Sequence, residues 1–155
     1  MKLPRSASGW TIAVFGVMAL LFGVVTLTLP DVVLTMLGFE VPDQRAAGDY
    51  TRTFLAASAV SSLNMGVYYL VAAATNWRPF FFFTVPFRLL TFTVFTVLVV
   101  TQVAPAPFLG VAVWEALGAL ATGVALWAEP RSSGAFGAQT RPPTRATVGM
   151  AGTAG

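Results

Sequence analysis

The sequence predicts an all-α integral membrane protein folded as a four-helix antiparallel bundle. Three observations lead there. Of 155 residues, 56% are hydrophobic and only 10% charged, where a soluble domain carries about 25% charged residues. The mean hydropathy is +0.76. Finally, the apolar residues form unbroken runs, and four of these reach the ~20 residues needed to cross ~30 Å of hydrocarbon.

Taken in order, residues 1–9 form a short N-terminal segment carrying Lys2 and Arg5. The first span covers residues 10–29. A basic start before an apolar run also suits a signal peptide. This run is too long for a signal core, however, and no small-x-small cleavage site follows before Pro30, so a retained helix is expected. Residues 30–53 form the one sizeable loop. Its first half, PDVVLTMLGF, has start signals in Pro30 and Asp31 and a stop in Gly38, as a short interfacial helix would. Its second half is polar, with Asp49 placed to cap the next helix. An ordered connector is the expected role, with a lid or docking surface as the alternative.

The second span covers residues 54–75, the third 80–103 and the fourth 108–128, completing a membrane domain at 10–129. Pro86 inside the third span removes a backbone donor from the carbonyl of Phe82 and predicts a kink there, with the Thr84 hydroxyl as substitute donor. Residues 130–155 are rich in Gly, Ala, Ser, Thr and Pro. They lack helical periodicity and the apolar surface to offset ordering, so a disordered tail is expected.

Basic residues set the expected orientation. Lys2 and Arg5 precede the first span, Arg78 lies between the second and third, and Arg131, Arg141 and Arg145 follow the fourth. From Pro30 to Tyr50 the long loop holds Asp31, Glu40, Asp43 and Asp49 against Arg45. Positive residues collect on the cytoplasmic side, so both termini are expected inside a plasma (bacterial inner) membrane, with the long loop outside.

Several chemistries are excluded. The chain has neither Cys nor His, which removes disulfides, thiol redox chemistry, the usual zinc sites and histidine proton shuttles. No cofactor or metal is expected. A net charge of +3, scattered along the chain, does not build the basic face that nucleic acid requires.

Small residues bring membrane helices together, because lipid is as apolar as leucine. Gly16 and Gly23 on the first span, Ser58, Ser62 and Gly66 on the second, and Ala119 and Gly123 on the fourth are the expected packing positions. Polar residues mark the middle of the membrane. At about 1.5 Å per residue, Arg88 lies roughly 12 Å in from the inner boundary, Glu115 roughly 10 Å in from the outer one, and Asn64 near the midplane. A lone Arg or acidic residue at a helix centre costs about 2.5–3.5 kcal/mol, so Arg88 is expected to face inward and pair with Glu115. Asn64 and Tyr68, with Tyr69 beside it, are expected nearby, and Thr84 and Thr91 flank Arg88 on its own helix. The alternative is snorkelling of Arg88 toward the inner headgroups.

The whole span pattern resembles the small bacterial four-helix membrane proteins grouped as DoxX-like or BphX-like. The resemblance rests on NMGVYYLVAAA at 64–74, the Arg88 region and WEALGALATGVAL at 114–126, and extends over residues 10–128. It implies the four-helix membrane fold. Some members are associated with quinol-oxidising or thiol-stress systems, and the absence of cysteine here prevents a thiol role from being carried over. The expected function is an accessory or scaffold subunit held together by the Arg88–Glu115 pair. Its partners would be the lipid bilayer and either a second copy or another membrane protein. The alternatives are a proton-coupled transporter of small solutes acting as a dimer, and a quinone- or lipid-linked enzyme subunit. With one Glu and one Arg as the only charges inside the spans, catalysis has the least support.

Overall fold

The computed structural model describes residues 4–129. Lys2, the expected tail at 130–155 and its arginines lie outside the described residues. The described chain is helical, and four helices are long and apolar enough to cross a membrane. Helix α1 spans Ala7–Thr28, the short α2 Pro30–Met36, α3 Thr51–Thr75, α4 Arg78–Val100, and α5 Leu109–Ala128 after a 3₁₀ turn at Ala106–Phe108.

Local chemistry sets the boundaries. α1 starts three residues before the expected Trp10 because Ser6 caps it, accepting a hydrogen bond from the Gly9 N–H at 3.0 Å. Pro30 opens α2 at a position where a missing N–H costs nothing. Gly38 then leaves that helix at φ +82°, and a side chain there would also meet the Pro107 ring at 2.7 Å. Asp49 does not cap α3 in the expected way. Tyr50 holds the N-cap position, and Asp49 instead accepts from the backbone N–H and hydroxyl of Thr51, two residues on, as an Asx-turn. Asn76 ends α3 in the left-handed conformation, φ 51°. α4 stops at Val100, short of the expected Val103, because Gln102 takes a φ of 60° and turns the chain.

Inside the spans several threonines satisfy their hydroxyls within their own helix. The hydroxyls of Thr26, Thr84, Thr91, Thr93 and Thr96 each donate to the carbonyl four residues earlier, at 2.7–3.0 Å. In hydrocarbon no water competes for these hydroxyls, so back-bonding is their cheapest outlet. α4 runs unbroken through Pro86. The Thr84 hydroxyl bonds Phe80 rather than the carbonyl of Phe82 that Pro86 leaves free. Thr84 obeys its own i−4 geometry, which correction removes its expected role at the proline.

The most extensive packing is α1 on α3, followed by α4 on α5, and α1 also touches α5. Glycine makes the first contact close. A Cβ on Gly66 would come within 2.8 Å of the Gly16 carbonyl, and one on Gly23 within 2.9 Å of the Ala59 carbonyl. Between them the Ser62 hydroxyl donates across the helix pair to the Ala19 carbonyl at 2.9 Å. Two expected packing positions fall elsewhere. Ser58 is exposed and its neighbour Ala59 is buried in its place. Steps of four residues drift off a helix face that steps of three and four together follow. Ala119 is buried, but Gly123 has only Val85 near it, at 4.0 Å, and lines an apolar groove between α4 and α5.

The ends of the helices are tied by polar and aromatic contacts. At one end Ser8, Arg78 and Glu129 meet, with Ser6 bonded to Asn76. At the other, the segment after α2 lies on the α4–α5 connection, Phe39 packing edge-on against Phe108 with ring centroids 6.0 Å apart. There Asp31 also bridges Arg45 and Arg52, and Arg45 bridges Asp49.

Overpacking the glycine contact should be costly. Gly66→Val is expected to destabilise by about 1–3 kcal/mol, while Ser58→Val should stay within about 0.5 kcal/mol. Thermal unfolding of the purified variants in detergent measures both.

Asp49 predicts an acid-sensitive connector. The hydrogen bond from the Thr51 hydroxyl, followed by that from its backbone N–H, holds this carboxyl below its ordinary value of 3.8. A depressed folded value means that the contribution is present at pH above 3.8 and is lost as pH falls through the folded value. The melting-temperature gap between wild type and Asp49→Ala should therefore be flat from neutral pH down to about 5 and close below about 4. A gap that widens on acidification contradicts this assignment.

Candidate functional site: a buried guanidinium where four helices meet

The inward face of α4 is defined by its buried residues, Phe81, Thr84 and Arg88, at steps of three and four. Two of the three are polar. Arg88 lies on the third turn and is 3% exposed, so its side chain turns into the protein and does not snorkel.

Each of the other long helices brings a group to it. From α1, the Phe15 ring lies under the guanidinium with its centroid 3.6 Å from Cζ. From α3, the Tyr69 ring centroid is 5.1 Å away. From α5, Glu115 accepts from Arg88 Nη1 at 3.4 Å. Gly118, one turn beyond Glu115, supplies space: a Cβ there would stand 2.4 Å from Nη1 and 2.3 Å from Phe15 Cζ. Neighbouring aromatics hold these rings, Trp114 on Phe15 and Phe80 on Tyr69, with centroids 4.7 and 5.4 Å apart.

A desolvated cation over an aromatic face gains about 2 kcal/mol, comparable with the insertion cost of the charge. The ion pair adds to this, although 3.4 Å is long beside the 2.7–2.9 Å usual for such bonds. The pair is also asymmetric: the side chain of Arg88 is 4% exposed and that of Glu115 24%.

The other expected members of the polar slice are not brought in. Asn64 is exposed and makes no side-chain hydrogen bond among the described residues. Tyr68 is 57% exposed, and Tyr69 takes the inward place. Thr91 bonds its own helix at Phe87, as Thr84 does at Phe80. The depth of Asn64 matches that of Arg88, but its direction does not. Gly66, Tyr69 and Ala73 mark the inward face of α3, and two residues of helix turn Asn64 about 200° from Gly66.

Sequence reasoning missed Phe15, Trp114 and Gly118. Gly118 left a usable signal, a glycine one turn from the only acidic residue in a span. Phe15 left none, being one of 13 phenylalanines. A second polar cluster was also missed. Glu129, just past α5, accepts from the Ser8 N–H at 2.7 Å, the Ser8 hydroxyl at 3.0 Å and Arg78 Nη1 at 2.8 Å. Thr11 and Thr122 share a hydrogen bond of 3.0 Å further in. Arg78, read from sequence as a topology marker, thus also fastens the start of α4 to the end of α5. Among the described residues no group of three or more acidic side chains gathers that would hold a metal ion.

Removing either partner of the central pair strands the other, at about 3–5 kcal/mol for buried sites generally. A carboxylate escapes by taking a proton, whereas arginine keeps its charge. Glu115→Ala should therefore destabilise more than Arg88→Met, and the double variant should recover much of the loss. Melting temperatures of the four proteins in detergent test the cycle, and additive losses would mean that the two residues act independently.

No family model, curated protein or solved structure matches this chain.

Proposed function

We propose that the protein is a small multi-pass subunit of the plasma (inner) membrane that acts as an accessory or scaffold component. In this reading it is an antiparallel four-helix bundle, and Arg88 is the lock of its core. One observation carries the proposal: Phe15, Tyr69 and Glu115, one from each of the other three long helices, all converge on Arg88. A charge shared in this way specifies which helices pack together, a role attested for buried polar groups. The antiparallel arrangement is supported by the end contacts, since the start of α1, the α3–α4 turn and the end of α5 share one polar cluster. The resemblance to DoxX-like proteins belongs to the same proposal.

Orientation follows from charge. In sequence, Lys2 and Arg5 precede α1, Arg78 opens α4, and Arg131, Arg141 and Arg145 follow α5, against Arg45 and Arg52 in the long loop, which supports cytoplasmic termini. Reporter fusions placed after Arg78 and after Arg131 should both read cytoplasmic, and an external signal from either overturns this topology.

The partner is tested by affinity purification in mild detergent followed by native mass spectrometry. A stoichiometric second membrane protein is the expected result. A homodimer with no other chain, binding solute in a pH-dependent way, would instead favour the transporter. That second reading draws on the partial exposure of Glu115, 24% for its side chain, since a carboxylate at this depth is suited to exchanging a proton.

A further inference from the structure

The hydrogen bonding of Arg88 is far from complete. A guanidinium has five N–H donors. Among the described residues this one makes a single hydrogen bond, from Nη1 to Glu115. Its Nε is buried with no partner. The donors thus left over include the side-on edge formed by Nε and Nη2, which matches the two oxygens of a carboxylate. A buried donor without an acceptor is costly in hydrocarbon, where no bulk water compensates it. Neither of the hydroxyls beside it, Tyr69 and Thr84, takes a hydrogen bond from Nε among the described residues. Phe15 offers only a ring face, Gly118 has no side chain, and the Thr84 hydroxyl donates its proton to Phe80. Among the described residues the only carboxylate nearby, Glu115, sits at 3.4 Å and is partly exposed.

We propose that Arg88 binds the carboxylate of an organic acid, which enters as the neutral acid and hands its proton to Glu115. The step balances. The O–H bond of the acid breaks and an O–H bond forms on Glu115, while Arg88 keeps its charge. The acid carboxylate takes the guanidinium fork as protonated Glu115 gives up its share. The site is neutral before and after, as hydrocarbon demands. The titratable and charged groups facing the guanidinium are Glu115 from α5 and Tyr69 from α3, whose phenol keeps its proton at neutral pH. Phe15 from α1 and Thr84 on α4 carry no charge. The reading is independent of the scaffold role, because a bound acid neither requires nor excludes a partner chain.

The test is calorimetric titration of the full chain in a non-ionic detergent with dodecanoate, with dodecanol as the uncharged control and benzoate as a water-soluble acid. Saturable binding of a carboxylate, with none for dodecanol, is expected. Dodecanoate alone would place the source of the acid in the bilayer, and equal binding of benzoate would place it in the aqueous phase, both with the same site chemistry. Above the acid's pKa, apparent affinity should fall about tenfold per pH unit, following the neutral acid. Arg88→Lys keeps the charge but lacks the fork and should lose at least tenfold in affinity. In Glu115→Gln the anion can pair with Arg88 without a proton, so the pH slope should vanish and dodecanoate should raise the melting temperature. Dodecanol binding as well as dodecanoate, unchanged affinity in Arg88→Lys, or an unchanged pH slope in Glu115→Gln each overturns the proposal. If Arg88→Lys does not fold, the slope in Glu115→Gln decides alone.

Discussion

A positive charge that cannot be shed, held inside a protein that lies within hydrocarbon, organises this molecule. Arginine keeps its proton under any accessible condition, so the chain must surround the guanidinium instead of neutralising it. It does so with Phe15, Tyr69 and Glu115, one group from each of the other long helices, and clears room with Gly118. No single contact is strong enough alone. The aromatic face contributes about 2 kcal/mol against an insertion cost of about 2.5–3.5 kcal/mol, and the carboxylate offsets the charge at an insertion cost of its own. The position of each helix is thereby tied to the others through one side chain.

Away from that point different physics operates at different depths. In the middle of α1 and α3 glycine lets backbones approach, the Cβ positions of Gly16, Gly23 and Gly66 all falling within 2.8–3.1 Å of a carbonyl on the facing helix. Dispersion between backbones then replaces the hydrophobic effect, which lipid cannot provide. At the ends, where water returns, charges take over. The bridges from Arg45 and Arg52 to Asp31 are partly exposed, and such pairs contribute about 0–1 kcal/mol each. The Glu129 cluster is more enclosed, its carboxylate being 13% exposed, and it gathers three donors.

Depth was legible in the sequence and azimuth was not. Counting residues along the spans put Arg88 and Glu115 within reach of each other, because one residue of helix always adds about 1.5 Å, and the two side chains stand 3.4 Å apart. The same count put Asn64 at a matching depth, yet it lies on the outside of α3. Tyr68 and Ser58 failed in the same way, each replaced by the next residue, Tyr69 and Ala59. In a soluble helix the polar face would have resolved the choice. A helix that is apolar all round has no such marker.

By itself the sequence determined the number and approximate extent of the apolar helices, the place of the short α2, and the presence of one Arg and one Glu that hydrocarbon would force together. All of these follow from composition, chain length and a fixed rise per residue. Tertiary structure alone decided which face of each helix turns inward. It brought Phe15 under the guanidinium, assigned Gly118 rather than Gly123 to close approach, and joined Arg78 to Glu129 across 51 residues of sequence. The reason is that lipid and protein interior are nearly equivalent to an apolar side chain, so the rotation of each helix is set only by its neighbours.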